Sequence, residues 1–128
     1  MRFDPAHTVS SWVAKHAGSQ LAVTAVTEAE IFYGLELMPA GKRRNGLQTA
    51  AETLFMKLFR GRTLPFDSEA ARLYAKIAST RRAKGKPISV PDAQIAAIVL
   101  AHDAVLATRN IMDFAGCGIR LVNPWKEK

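Results

Sequence analysis

Three carboxylates stand where this chain could do chemistry: Glu30 in Thr27-Glu28-Ala29-Glu30, Asp92 in Ser89-Val90-Pro91-Asp92, and Asp113 just past Thr108-Arg109-Asn110. Each lies after a short apolar run or at a helix start, and α/β proteins bind ligands in loops at the carboxyl ends of parallel strands. Brought within about 4 Å, any two of these charges would repel by roughly 4 kcal/mol at an effective dielectric of about 20. A domain stable by only about 5–15 kcal/mol does not carry such a cluster uncompensated. Hard oxygen donors suit Mg²⁺ or Mn²⁺, which offsets the repulsion. Such a cation lowers the pKa of a bound water and neutralises charge developing on phosphorus, which in a basic chain points to phosphodiester hydrolysis.

Each acid also has a purely structural reading. Thr27…Glu30 and Ser89…Asp92 both match the S/T-x-x-E/D capping box, a common feature worth about 1 kcal/mol. Asp113 would equally serve as the cap of a turn before Gly116. Other chemistries find little footing. His7, His16 and His102 show no metal-ligand spacing, Cys117 lies between glycines with no nearby histidine, and no phosphate-cradling Gly-rich loop occurs. Basic runs at Lys42-Arg43-Arg44 and from Arg81 to Lys86 read either as solvated helix ends or as phosphate contacts. Arg109, beside the acids, is the best single candidate for gripping a scissile phosphate.

The elements that must position these residues emerge from periodicity. A first helix is predicted from Pro5, with Val9, Trp12, Val13 and His16 on one face, ending at Gly18-Ser19. Leu21 to Val26 reads as a strand covered on both faces, and Thr27 opens a helix through Leu37. A long amphipathic helix is predicted from Arg44 to Phe59, burying Leu47, Ala51, Leu54, Phe55, Leu58 and Phe59. Thr63 to Phe66 is a further strand. Asp67 caps a helix to Lys84 that turns Ala71, Tyr74, Ile77 and Ala78 inward and ends at Gly85. The loop from Pro87 to Pro91 leads to an apolar helix from Asp92 to His102, then a strand from Val105 to Thr108. A last strand runs from Ile119 to Val122, and Trp125 is expected to pack on the body. Short strands alternating with helices give an α/β fold, a parallel sheet with helices on both faces.

With 128 residues the chain is read as one domain that buries roughly two-thirds of its unfolded surface. Its longest apolar run, Ala93 to Ala101, is broken by Gln94 and far shorter than the about 20 residues a membrane span needs. The start, Met1-Arg2-Phe3-Asp4-Pro5, lacks the apolar core of a signal peptide. One cysteine forms no internal disulfide, which favours a reducing cytoplasm. The net charge of +7 favours a polyanionic partner such as nucleic acid over a role in solubility alone.

Val26-Thr27-Glu28-Ala29-Glu30-Ile31-Phe32-Tyr33-Gly34, Pro39 to Arg44, Ile88 to Ala97, and Ala107-Thr108-Arg109-Asn110 with Asp113-Phe114 occur in this order along the chain. Together they resemble the PIN-domain toxins, and among these the FitB-like branch of the VapC family. The resemblance implies a PIN-like three-layer α/β/α sandwich and an endoribonuclease dependent on Mg²⁺ or Mn²⁺. It also implies RNA as substrate, a small DNA-binding antitoxin as partner, and a homodimer. By position, Glu30, Asp92 and Asp113 match the family's acids, and Thr108 matches a small polar residue lining its site. Asn110 stands where many relatives have a further Asp and would hydrogen-bond a metal-bound water. Thr27 joins these as a supporting residue.

Such toxins begin with a hydrophobic strand ending in Asp-Thr-Asn, whereas this chain begins at a segment resembling the stretch just after that signature. The resemblance therefore implies that the first, central strand and its acid are missing. Either the start is assigned at an internal Met of a longer protein, or the chain is a catalytically impaired remnant. The remnant would act only as an antitoxin- or nucleic-acid-binding module, and a metal-free nucleic-acid-binding protein is the remaining alternative.

Overall fold

The computed structural model describes residues 21–123, which fall into two compact units, one up to Leu64 and the other from Pro65 onward. The expected first helix and the placement of Trp125 lie outside these residues.

In the first unit, strand β1 (Val23–Thr24) pairs in parallel with β2 (Thr63–Leu64), Val23 opposite Thr63 and Thr24 opposite Leu64. β1 is shorter than the predicted Leu21–Val26, because Thr24 is already the cap of helix α1 (Ala25–Leu37). Thr24 is extended (φ −88°, ψ 152°), so its buried hydroxyl reaches forward and accepts the Thr27 N–H at 2.9 Å. The expectation that Thr27 opens the helix is thus corrected: a competing threonine sits three residues earlier. Thr27 is the capped residue, and its own hydroxyl lies 2.9 Å from that of Thr24.

Ile31 and Leu35, one turn apart on α1, are buried with Ala51 of helix α2 (Lys42–Thr53). Phe32, Met38, Leu47 and Phe55 pack around them. The predicted Arg44–Phe59 helix begins two residues early, and its end widens into a π-helical turn over Leu54–Leu58, with the Phe59 N–H on the Leu54 carbonyl at 2.9 Å. Phe55 meets both Phe32 and Phe59 with ring centres 5.7 Å apart. Gly61, at φ +71°, then reverses the chain into β2.

The second unit is organised by two helices. Asp67 caps α3 (Ser68–Ala83) as predicted, accepting the Ala70 N–H at 3.0 Å. Its buried stripe is Ala70, Ile77 and Arg81; Ala71, expected to face inward, is exposed because the stripe passes through its neighbour. Gly85, at φ +73°, ends the turn after the helix. α3 packs along α4 (Val90–Ala101), whose Ala93, Ile95, Ala96, Ala97, Ile98 and Val99 are all buried. Burial on nearly every side is why this segment is apolar all round rather than amphipathic. Strand β3 (Val105–Ala107) pairs in parallel with β4 (Arg120–Val122), and a 3₁₀ turn over Ile111–Phe114 lies between them in sequence. Both pairings are parallel, as the alternation of strands and helices predicts. Among the described residues, no helix is long and apolar enough to cross a membrane.

Candidate functional site

Glu30 lies on α1, in the second turn after the Thr24 cap, on an exposed face. It is one of the residues of the first unit that takes part in an interaction. Because the helix opens at Thr24, Glu30 is three residues too far along to close a capping box with Thr27. The capping-box reading of this acid is therefore removed.

The second unit carries the other two acids. Ser89, at φ −64° and ψ 155°, caps α4, and its hydroxyl accepts the Asp92 N–H at 3.3 Å. Half of the predicted box is thus present. The return bond, from the Ser89 N–H to the Asp92 carboxylate, is absent among the described residues, so Asp92 keeps its oxygens out of the cap. Pro91 at the second helical position leaves no amide unsatisfied there and fixes the approach of the chain. Asp92 is half-buried in this first turn, where the helix dipole favours a negative charge.

Asp113 sits within the 3₁₀ turn, whose Asn110 cap makes no side-chain bond to it. The turn is pinned by buried Phe114 and packs against α4 and β4, so the elements bearing Asp92 and Asp113 are in contact. Upstream, Thr108 donates its N–H to the Val122 carbonyl at 2.9 Å, and its hydroxyl accepts the Asn110 N–H at 3.0 Å. That threonine turn holds the exposed Arg109 and Asn110 beyond the strand end. Arg109 also has an interaction of its own.

Sequence reasoning missed the residue that anchors this loop. Arg81, read as part of a solvated or phosphate-binding run, is only 8% exposed. Its Nη1 donates to the carbonyls of Asp113 and Ala115 at 3.0 and 3.1 Å and lies 3.6 Å from the Cys117 thiol. Its Nε donates to the Lys86 carbonyl at 2.8 Å. A buried guanidinium is tolerated because it meets carbonyl dipoles at these positions. The signal was available: Arg81 falls four residues after Ile77, on the inward stripe of α3.

Unit by unit, then, Asp92 and Asp113 are carried by touching elements with Thr108, Arg109 and Asn110 in the adjoining loop, while Glu30 and Thr27 belong to the first unit. Among the described residues no three His, Cys, Asp or Glu side chains form a group that could hold a metal ion.

Comparison with known proteins places this arrangement in a family. The PIN domain pattern matches residues 3–115. The VapC ribonuclease Y4jK of Sinorhizobium fredii is 37% identical over 123 residues, covering 96% of this chain and 88% of the relative. Toxin FitB of Neisseria gonorrhoeae is 34% identical over 127 residues, covering 99% of this chain and 91% of the toxin. The solved structure of FitAB bound to an IR36 DNA fragment superposes with a TM-score of 0.88 at 34% identity, over 99% of this chain and 89% of the matched one. The chain has the PIN fold and belongs to the PIN-domain family, among relatives named VapC ribonuclease and FitB toxin.

Proposed function

We propose that this chain is an endoribonuclease, the toxin component of a toxin–antitoxin pair, which hydrolyses RNA phosphodiester bonds. The observation that carries the reading is the contact between α4 and the 3₁₀ turn, each bearing an acid whose carboxylate is left out of the local capping bonds. In this reading Asp92 and Asp113 orient the attacking water and take its proton, and Glu30 of the first unit is retained as a catalytic acid on the family resemblance alone. Arg109 holds the scissile phosphate through charge-assisted hydrogen bonds. Thr27, Thr108 and Asn110 support these groups. The net charge of +7 gives the RNA backbone a favourable, salt-sensitive approach.

The cofactor proposed with this chemistry is Mg²⁺ or Mn²⁺. The donors fit such an ion in type, being hard oxygens. In number they do not, since the described residues offer no group of three that could hold it; the roles above are accordingly those of the chain's own groups. The single domain, the antitoxin partner, the homodimer and the cytoplasmic setting belong to the same proposal. The FitAB structure, in which this chain covers 89% of the matched chain, supports the antitoxin.

The same shortfall in grouped ligands favours a second reading, a catalytically impaired PIN domain that still engages an antitoxin. Incubation of the purified chain with structured RNA, with Mg²⁺ and again with excess EDTA, separates the two. The nuclease reading expects cleavage that EDTA stops and that Asp113→Asn lowers by about 10²-fold or more. Absence of cleavage with antitoxin binding intact establishes the binding module instead.

A further inference from the structure

We propose that Arg81 is the positioning residue of this site: it fixes the backbone of the Asp113 loop from beneath and so sets where the Asp113 carboxylate stands, without touching RNA. The inference rests on the nuclease reading for its catalytic consequence, and on geometry alone for the clamp.

One guanidinium nitrogen bonds the carbonyl of Asp113 itself and that of Ala115, two residues on, and meets the thiol of Cys117 two residues further. Alternate residues of a single loop therefore converge on one cation. The Nε of the same guanidinium donates to the Lys86 carbonyl in the turn after α3. Gly116 lets the loop turn: it is left-handed at φ +77°, a conformation side chains rarely adopt, and it lies in ordinary contact range of the Arg81 side chain. The loop's own bonds are few and long, with Ala115 and Cys117 amides donating to Met112 and Phe114 at 3.3 Å each. A planar fork with several donors in fixed directions can order such a loop; a single ammonium cannot. Arg81 is only 8% exposed, and its Nε and Nη1 donors are spent on the chain's own carbonyls.

The test uses the full chain, with Arg81→Lys as the principal variant and Arg81→Ala beside it, each checked for its fold by circular dichroism. Cys117, buried and the chain's sole cysteine, reports the loop directly through its labelling rate with an aromatic disulfide reagent. Arg81→Lys is expected to label about 10-fold faster than wild type. It should also label faster than Asp67→Ala, a destabilised control at the far end of α3. For RNA cleavage, Arg81→Lys is expected to lower kcat by about 10- to 100-fold with KM and the salt slope unchanged. In an Asp113→Asn background it should cost nothing further, since both changes disable the same group.

A raised KM with a shallower salt slope and unaltered Cys117 labelling would overturn the proposal, because that is the signature of a phosphate contact. Additive losses in the double variant would also overturn it. A wild-type chain that cuts no RNA sinks the nuclease reading alone. Cys117 labelling then still decides the clamp: faster labelling in Arg81→Lys upholds it, and an unchanged rate removes it.

Discussion

Replacing Asp92 by Asn separates chemistry from folding. The cap of α4 is made by the Ser89 hydroxyl and the backbone N–H of residue 92, so the substitution leaves it in place. Asn has nearly the helix propensity of Asp, and the side chain is isosteric. What is lost structurally is one negative charge in the first turn, worth about 0.3–1 kcal/mol against the helix dipole. A loss of that size lowers the melting temperature by only about 1–6 °C in a domain of this length. If the carboxylate takes a proton from the attacking water, its removal should slow cleavage by about 10²–10⁴-fold, or roughly 3–5 kcal/mol of transition-state stabilisation. The functional loss thus exceeds the structural loss severalfold. Single-turnover cleavage of a fluorescent RNA, alongside differential scanning calorimetry, measures both. Cleavage within about twofold of wild type would remove Asp92 from the chemistry, since even weak acid–base participation exceeds that factor. A melting point depressed by more than about 10 °C would show instead that the carboxylate is structural.

Other outcomes are expected from the same structure. Thr24→Val should destabilise the chain by about 0.5–2 kcal/mol through loss of the α1 cap, read as a shift in urea midpoint. Thr27→Val should cost less, because Thr27 contributes its backbone N–H to that cap. Equal losses would restore Thr27 as the cap. Ile98→Ala, at a fully buried position on α4, should cost about 2–5 kcal/mol by leaving a cavity beneath the helix that bears Asp92. A cost below about 1 kcal/mol, measured by denaturant unfolding, would mean the helix is not packed as described. RNA affinity should fall steeply between low and physiological salt, and a flat dependence would argue against backbone phosphate contacts by this basic chain.

How far the sequence foretold this arrangement differs from element to element. Asp67 was readable as a cap because it directly preceded a clean helical stripe, and its carboxylate rather than the adjacent Ser68 hydroxyl takes the Ala70 N–H. Thr24 was not, because Thr24 and Thr27 have the same chemistry and only the backbone dihedrals decide which hydroxyl faces an amide. The all-apolar α4 was legible from Ala93 onward, since a continuously buried helix needs no polar face. The π-helical turn at Leu54–Leu58 was hidden, because one widened turn shifts the periodicity by less than a short window resolves. Strand lengths were overestimated at every site, as β-branched runs extend past the point where ladders end. Among site residues, the positions of Asp92, Thr108 and Asn110 at helix start and strand end came from local turn chemistry. For Arg81 the inward stripe of α3 carried its burial, but its partners lie far downstream in sequence and no local pattern encodes them.

That separation bears on the order in which the protein is made. Arg81 reaches carbonyl groups 32 and 34 positions ahead of it, at Asp113 and Ala115. At a synthesis rate of about 5–20 residues per second, the guanidinium is made about 2–7 s before its partners exist. A nascent chain therefore carries α3 and α4 complete, with Arg81 already in place, before the Asp113 and Ala115 carbonyls that it holds have been made. Translation of that later stretch completes the clamp.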